Sequence, residues 1–452
     1  GTGFSSRPLK GNYYNSDYLL VDENNMIDIW RALVSVQITK FAENQYDVIP
    51  TVQNRERRRI VGEHVLDYLD QVAGRTFEDV IVISKSDYDS HGYPSLSYFA
   101  MLPHDIVSRK KNHPAPGGMC YTPYRSLIPK NMNGILVTGL GISMHRDASA
   151  MVRMQYDIAN QGYAAGLAAV IAINSKQELR DINIKKLQEK LIEKGNLPES
   201  VLALEDSHPL PEEIIKKAVI DFGKSTDPKS AGKALAIILT HKDISLPLIK
   251  KEYNKAKGDK NLLYAQVLAM CGINDGVPLI ISKLKTVKEW DDKILQGRMA
   301  DYAHLPTPID ALILSLGYSK DKSALPEIIN MIEKLNADVT LSHHRAVALA
   351  VENFSDPRAA KPLAMLLMKK EMRGHAMLDI EDALKDIQNN GLEARRKPRK
   401  KRTKALREII LARALYKCGD YNGLGEEILN SYKNDMRGLF VRHVNQVLNR
   451  ND

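Results

Sequence analysis

The stretch NGILVTGLGISMHRDASAMVRMQYDIANQGYAAGLAA, Asn133 to Ala169, decides how the first half of the chain folds. Gly134-Ile135-Leu136-Val137-Thr138 is a short apolar run that predicts a strand, and Ile135, Leu136 and Val137 suit one buried on both faces in a parallel sheet. Gly139-Leu140-Gly141 then leads toward a helix expected from about Ser149 to Ile173. A strand, a glycine loop and a helix in that order let backbone N–H groups meet an anionic group at a positive helix end. Along the helix Ala159, Gly162, Gly166, Ala169 and Ile173 recur at spacings of three and four, so a stripe almost free of side chains runs down one face. Glycine in a helix interior costs about 1 kcal/mol relative to alanine. Close approach of a sheet or of a cofactor is expected to offset that cost.

Upstream, Val80-Ile81-Val82-Ile83 predicts a strand closed by the polar segment Ser84 to His91, and Pro114-Ala115-Pro116-Gly117-Gly118 a loop. Two prolines hold Tyr121 to Lys130 extended, with Arg125 placed to face a ligand or to close the loop. In Asn54 to Glu63 four arginines fall within five positions, and their mixing with Glu56 and Glu63 reads as an ion-pair lattice rather than a phosphate site. His145, Arg146 and Asp147 are candidates for proton handling, although a lone loop histidine is more often structural. The first fifty residues open Tyr/Asn-rich and predict a helix from Met26 to Phe41.

The segments NRERRRIVGEHVLDYLD (Asn54 to Asp70), YTPYRSLIPK (Tyr121 to Lys130), NGILVTGLGISMHRDASAMVRMQ (Asn133 to Gln155) and DIANQGYAAGLAA (Asp157 to Ala169) resemble the C-terminal signature of the FAD-dependent oxidoreductase family with a glutathione-reductase-like flavin fold. RDINIKKLQEKLIEKGNLPES (Arg180 to Ser200) is similar to that family's exit from the domain. The resemblance implies FAD as cofactor and hydride transfer through the flavin N5. It also implies that Gly139, Gly141, Arg153, Met154 and Gln155 face the flavin, with the helix dipole stabilising a reduced, anionic ring. This sequence departs from the family at Gly139-Leu140-Gly141, where relatives often have Gly-Arg-Cys, and at Tyr156, where they often have Pro, and it contains no GxGxxG, the motif that cradles the cofactor diphosphate. Weak or absent FAD binding by this chain alone is therefore expected.

From Pro211 onward the pattern is helical, broken by Asp243-Ile-Ser-Leu-Pro247, Asp275-Gly-Val-Pro278, Asp321-Lys-Ser-Ala-Leu-Pro326 and Asp356-Pro-Arg-Ala-Ala-Lys-Pro362. Aspartate caps an incoming helix and proline suits its first turn, so each break predicts a turn between paired helices. From Asp243 through Asp275 and Asp321 to Asp356 the intervals are 32, 46 and 35 residues. HEAT-type units run to about 40–47, so the pattern reads as a degenerate repeat, with a non-repeating helical bundle as the alternative.

The expected fold class is thus α/β in residues 1–205, a partial and truncated flavin domain, followed by an all-α HEAT-like helical repeat domain in residues 206–452. The expected function is that of a FAD-dependent oxidoreductase lacking its dinucleotide-binding half. The alternative is a non-catalytic helical-repeat scaffold with a remnant flavin domain. Expected partners are the missing N-terminal half of the flavin domain or a second copy of the chain, and a protein partner on the repeats.

Bulk properties narrow the remaining classes. Cys120, Cys271 and Cys418 are far apart and lack metal-ligand spacing, which argues against a disulfide framework and a metal site. No stretch supplies the roughly 18 consecutive apolar residues of a membrane span, so a soluble protein is expected. The +9 net charge lies partly in Arg395-Arg396-Lys397-Pro398-Arg399-Lys400-Lys401-Arg402, which lacks interleaved aromatics and reads as a solvated linker rather than a nucleic-acid site. The opening Gly1-Thr2-Gly3 has neither an initiator Met nor a leader pattern and reads as a processed start, which leaves localisation open.

Overall fold

The computed structural model describes residues 26–27, 29–30, 59–86, 88, 95–102, 118–224, 228–291, 306–379, 381–382 and 399–449. Most of the Met26 to Phe41 helix, Asn54 to Arg58, the Pro114 to Gly117 loop and Arg395 to Pro398 therefore lie outside the described residues. The chain forms two compact units. One is built on Glu56–Leu268, the other on Ala269–Asp292 with Pro306–Asp452.

In the first unit the β-branched run becomes β1 (Val80–Ser86), paired antiparallel with β2 (Gly118–Pro123) in the register Ser84 to Cys120. A bulge between Val80 and Val82 lets Val80, Ile81 and Val82 all be buried. Helices α1 (Tyr68–Ala73), α2 (Tyr98–Met101), α3 (Ser149–Val152), α4 (Gln155–Ser175) and α5 (Ile184–Glu193) surround this pair. Gln188 of α5 is buried and its amide donates to the carbonyls of Glu78 and Val80 at 3.0 Å each, fixing the helix to the start of β1.

The segment from Ile60 to Leu66 threads between two extended stretches. Glu63 N–H donates to the Ile128 carbonyl, Ile60 N–H to Gly141 and Leu66 N–H to Ser143, each at 3.0 Å. Gly62 permits this passage, since a Cβ there would fall 2.6 Å from Cβ of Ser143. Beyond α5 the chain returns to the end of α1. Arg75 makes a paired contact with Asp206 at 2.9 Å, and Ser207 N–H donates to the Thr76 carbonyl. With that anchor, α6 (Glu212–Phe222), α7 (Pro228–Thr240) and α8 (Lys242–Lys255) pack into the first unit, α7 against α1. Helix α9 (Asp259–Met270) follows, and Tyr264 Oη donates to the Val219 carbonyl.

Three expectations are corrected here. Gly134–Thr138 is not a strand of a sheet among the described residues: Val137 N–H donates to the Leu127 carbonyl, but Ile135 is 42% exposed. The helix predicted from Ser149 is two helices, broken at Arg153, where φ −105° and ψ 7° leave the helical region. Asp243 lies inside α8 rather than in a turn, with Pro247 carried within the same helix.

The second unit repeats one local design. Helix α11 (Pro308–Ser319) ends at Lys320 in the left-handed region, Asp321 caps a single 3-10 turn, and α12 (Leu325–Glu333) follows with Pro326 in its first turn. The same order gives α13 (Leu341–Phe354), left-handed Ser355, the cap Asp356 and α14 (Ala360–Leu367). Asp321 and Asp356 accept from the backbone two residues on, Ser323 at 2.9 Å and Arg358 at 3.1 Å, which is why the Asp/Pro breaks mark helix boundaries. Asp275 sits in the 3-10 turn before α10 (Val277–Lys285). Asp420, after α15 (Arg399–Lys417), instead reaches past its 3-10 turn to accept from Gly425 N–H and Glu426 N–H in the first turn of α16 (Leu424–Ser431). The longer helices α11, α13 and α15 pack in sequence, as do α10, α12 and α14, and α17 (Gly438–Leu448) closes the unit beside α16.

Candidate functional site

The first turns of α4 and the loop before α3 form the candidate site. Gly139 has φ +71°, a conformation that glycine enters without strain, and it opens a 3-10 turn through Gly141. Gly139 N–H donates to Gln161 Oε1 at 2.8 Å, and Gln161 Nε2 donates to the Val152 carbonyl at 3.2 Å. One wholly buried amide on α4 thus joins the glycine turn to the end of α3. Sequence reading missed Gln161. Its signal was a polar side chain on the inward face of a helix that carries no charged residue from Ile158 to Ser175.

Arg153 and Met154 form the break between α3 and α4, both half-buried, and Gln155 is exposed at the first turn. First-turn N–H groups have no intrahelical carbonyl to bond. Asp157 accepts from Met154 N–H at 3.2 Å, and burial pushes its pKa upward. Gly139 and Gly141 flank this end, and a Cβ at Gly139 would lie 3.5 Å from Ile158 of α4. The arrangement offers no glycine-rich turn for a diphosphate among the described residues.

The three catalytic candidates fall into two groups, His145 and Arg146 at Asp147 and Arg125 at Asp79. His145 Nδ1 accepts from Asp147 N–H at 3.2 Å, so the ring caps the 3-10 turn Arg146–Ala148. Arg146 pairs with Asp147 Oδ1 at 3.0 Å. Asp147 is buried and its other oxygen accepts from Ser95 N–H and Oγ–H and from Leu96 N–H at 2.8–2.9 Å, which anchors the approach to α2. Arg125 instead grips Asp79 with two nitrogens at 3.0 and 3.1 Å and lies 3.6 Å from Asp206. Burial pulls against its charge, and the Asp79 contact outweighs that and raises its pKa. His64 faces the same cluster. Burial, then Arg75 and Arg125, lower its pKa to about 4.

Behind these groups lies an aromatic core. The Tyr68 ring sits 4.9 Å from Phe99, 4.6 Å from Tyr88 and 5.6 Å from Tyr98. Burial pushes the Tyr68 and Tyr98 phenols well above their ordinary pKa.

The outer face of α4 is the most unusual surface of the unit. Tyr156, Tyr163, Val170 and Ile173 are exposed, Tyr156 to 85%, and a Cβ on Gly162 or Gly166 would meet nothing within 4 Å. The small-residue stripe therefore points outward, which corrects the expectation that it packs tightly. The inward face is Asp157, Gln161, Ala164, Ala168, Ile171 and Ala172.

Residues 24–191 match the family model described as FAD dependent oxidoreductase, so the chain carries a domain of that family. No curated protein and no solved structure matches the chain. Among the described residues no helix is long and apolar enough to cross a membrane, and no group of three or more His, Cys, Asp or Glu side chains is placed to hold a metal ion.

Proposed function

We propose that this chain supplies the ring-facing half of a FAD-dependent oxidoreductase site and by itself holds FAD weakly or not at all. The observation that carries the proposal is the bare apolar face of α4, with Gly162 and Gly166 open to close approach. A helix apolar all round normally lies between two layers. Here one layer covers it, and the sequence holds no GxGxxG for the diphosphate. The dinucleotide-binding half is then provided from outside these residues, and its sheet covers the stripe.

When bound, FAD supplies hydride transfer at N5. In this reading the first turn of α4 places its partial positive charge against the anionic edge of the ring. Gly139 and Gly141 allow the backbone near it, and Arg153, Met154 and Gln155 line it. The Gln161 amide keeps the glycine turn at a fixed distance from the helix. His145, Arg146 and Arg125 are the catalytic candidates, of which only His145, with a partly exposed ring, can move a proton, the arginines staying charged.

The test is uptake of FAD by the purified chain, followed by absorbance, with and without a separately expressed GxGxxG-bearing half. Little uptake alone and near-stoichiometric uptake with the added half are expected. Near-stoichiometric uptake by the chain alone overturns the proposal. A second reading, a helical-repeat scaffold with HEAT-like units over residues 206–452 and a protein partner, is favoured by the repeated Asp-capped turns at Asp321 and Asp356. A chain that stays colourless in both arms supports the scaffold.

A further inference from the structure

His343 on α13 is buried, 1% exposed, and both of its ring nitrogens face oxygen acceptors. Nδ1 lies 2.7 Å from Asp310 Oδ1 on α11, and Nε2 lies 3.0 Å from the carbonyl of Asp291. A neutral imidazole carries one N–H and can satisfy only one of them; an imidazolium satisfies both. The two acidic residues are themselves engaged. Asp310 Oδ2 accepts from Thr307 N–H at 3.0 Å, while Asp291 accepts from Thr307 Oγ–H at 2.6 Å and from Ile309 N–H at 3.2 Å. The Trp290 ring lies against the imidazole, centroids 4.4 Å apart.

We propose that His343 is a pH-operated latch: as an imidazolium it fastens Trp290–Asp291 to the start of α11 and to α13, and loss of its proton loosens that joint, leaving it to the contacts of Asp291 with Thr307 and Ile309. The groups that face it fix the direction. Asp310 from α11 and Asp291 from the segment after α10 both favour the charged ring and outweigh the burial that opposes it. His344 on the same helix is held neutral, since burial takes its pKa to about 3. On α15, Arg407 bonds the carbonyls of Ala337 and Glu371 and acts on His344, while Arg345 on α13 has partners of its own. The histidine pKa is therefore raised from 6.5. The latch is closed below 6.5 and opens as pH rises through the raised value.

Trp290 reports the event, because an imidazolium against an indole quenches its emission. In the full chain carrying Trp30→Phe, Trp290 is the one tryptophan remaining. Its emission is expected to rise with pH at a midpoint above 6.5. Asp310→Asn should move the midpoint downward and His343→Gln should abolish the transition. A midpoint at or below 6.5, or the same transition in His343→Gln, overturns the latch. Should His343→Gln fail to fold, the Asp310→Asn shift and the pH dependence of amide exchange at Trp290 and Asp291 decide the matter: an unmoved midpoint, or exchange that does not quicken above it beyond its ordinary pH dependence, overturns it.

Discussion

Two helices with glycine on one face have opposite fates. Gly317 in α11 faces α13 so closely that a Cβ would lie 2.5 Å from Cα of Ala350, and the crossing exists because the side chain is missing. A Cβ on Gly162 or Gly166 in α4 would meet nothing within 4 Å among the described residues. Helical spacing of small residues thus signals capacity for close approach, and only the presence of the partner shows that it is used. In the second unit both members of the crossing are present. In the first the outer face of α4 has no such partner among the described residues.

The largest expected effect falls at the filled crossing. Gly317→Leu inserts a side chain where backbone already sits, and overpacking of this kind typically costs about 1–3 kcal/mol and occasionally more. The second unit should melt several degrees lower in a thermal scan. The comparison breaks if Gly317→Leu and Gly162→Leu lower the melting temperature equally.

Gln161→Leu should follow. It leaves the Gly139 N–H without its acceptor in a buried site, a loss of about 1–3 kcal/mol. Chemical denaturation should show the first unit destabilised by that amount. No change would mean that the turn is held by other contacts.

The adjacent histidines sharpen the comparison within one helix. His344, lowered to about 3 by burial, is neutral in the fold and takes a proton on unfolding, so stability falls as pH drops below 6.5. His443, lowered to about 4 by burial and then Arg413, acts in the same direction. His343 acts oppositely, losing its contribution as pH rises above 6.5. Stability of the second unit should therefore be greatest near the ordinary histidine pKa. Urea midpoints measured across pH check this, and His344→Gln should flatten the acid limb alone.

These contrasts follow what the residues could announce. Val80–Ile83 was legible as a strand because β-branched residues suit the pleat. The Asp321 and Asp356 turns were legible because cap and proline act locally. Gly134–Thr138 misled, since three apolar residues look alike whether a sheet covers them or not. Asp243 misled for a local reason: His241 alone makes the break between α7 and α8, its Nε2 accepting from Leu210 N–H at 2.9 Å, so the helix starts before the aspartate. Gln161 and His343 depend on partners 22 and 33 residues away, a distance no local pattern encodes. The candidate flavin positions rested on family resemblance, and their side chains alone would not have marked them.

The smallest effect tests the empty crossing most directly. Gly162→Ala and Gly166→Ala add a methyl group where no atom lies within 4 Å, and alanine gains about 1 kcal/mol over glycine in a helix interior. Each should raise the stability of the isolated chain slightly, by about 0.5–1 kcal/mol. A larger residue such as Gly162→Leu should likewise be tolerated alone, yet it should weaken joining to a GxGxxG-bearing half, because the sheet that covers α4 needs the stripe bare. Melting of the chain alone and FAD uptake of the reconstituted pair separate the two effects. If Gly162→Leu leaves reconstitution unchanged, the stripe is not where the two halves meet.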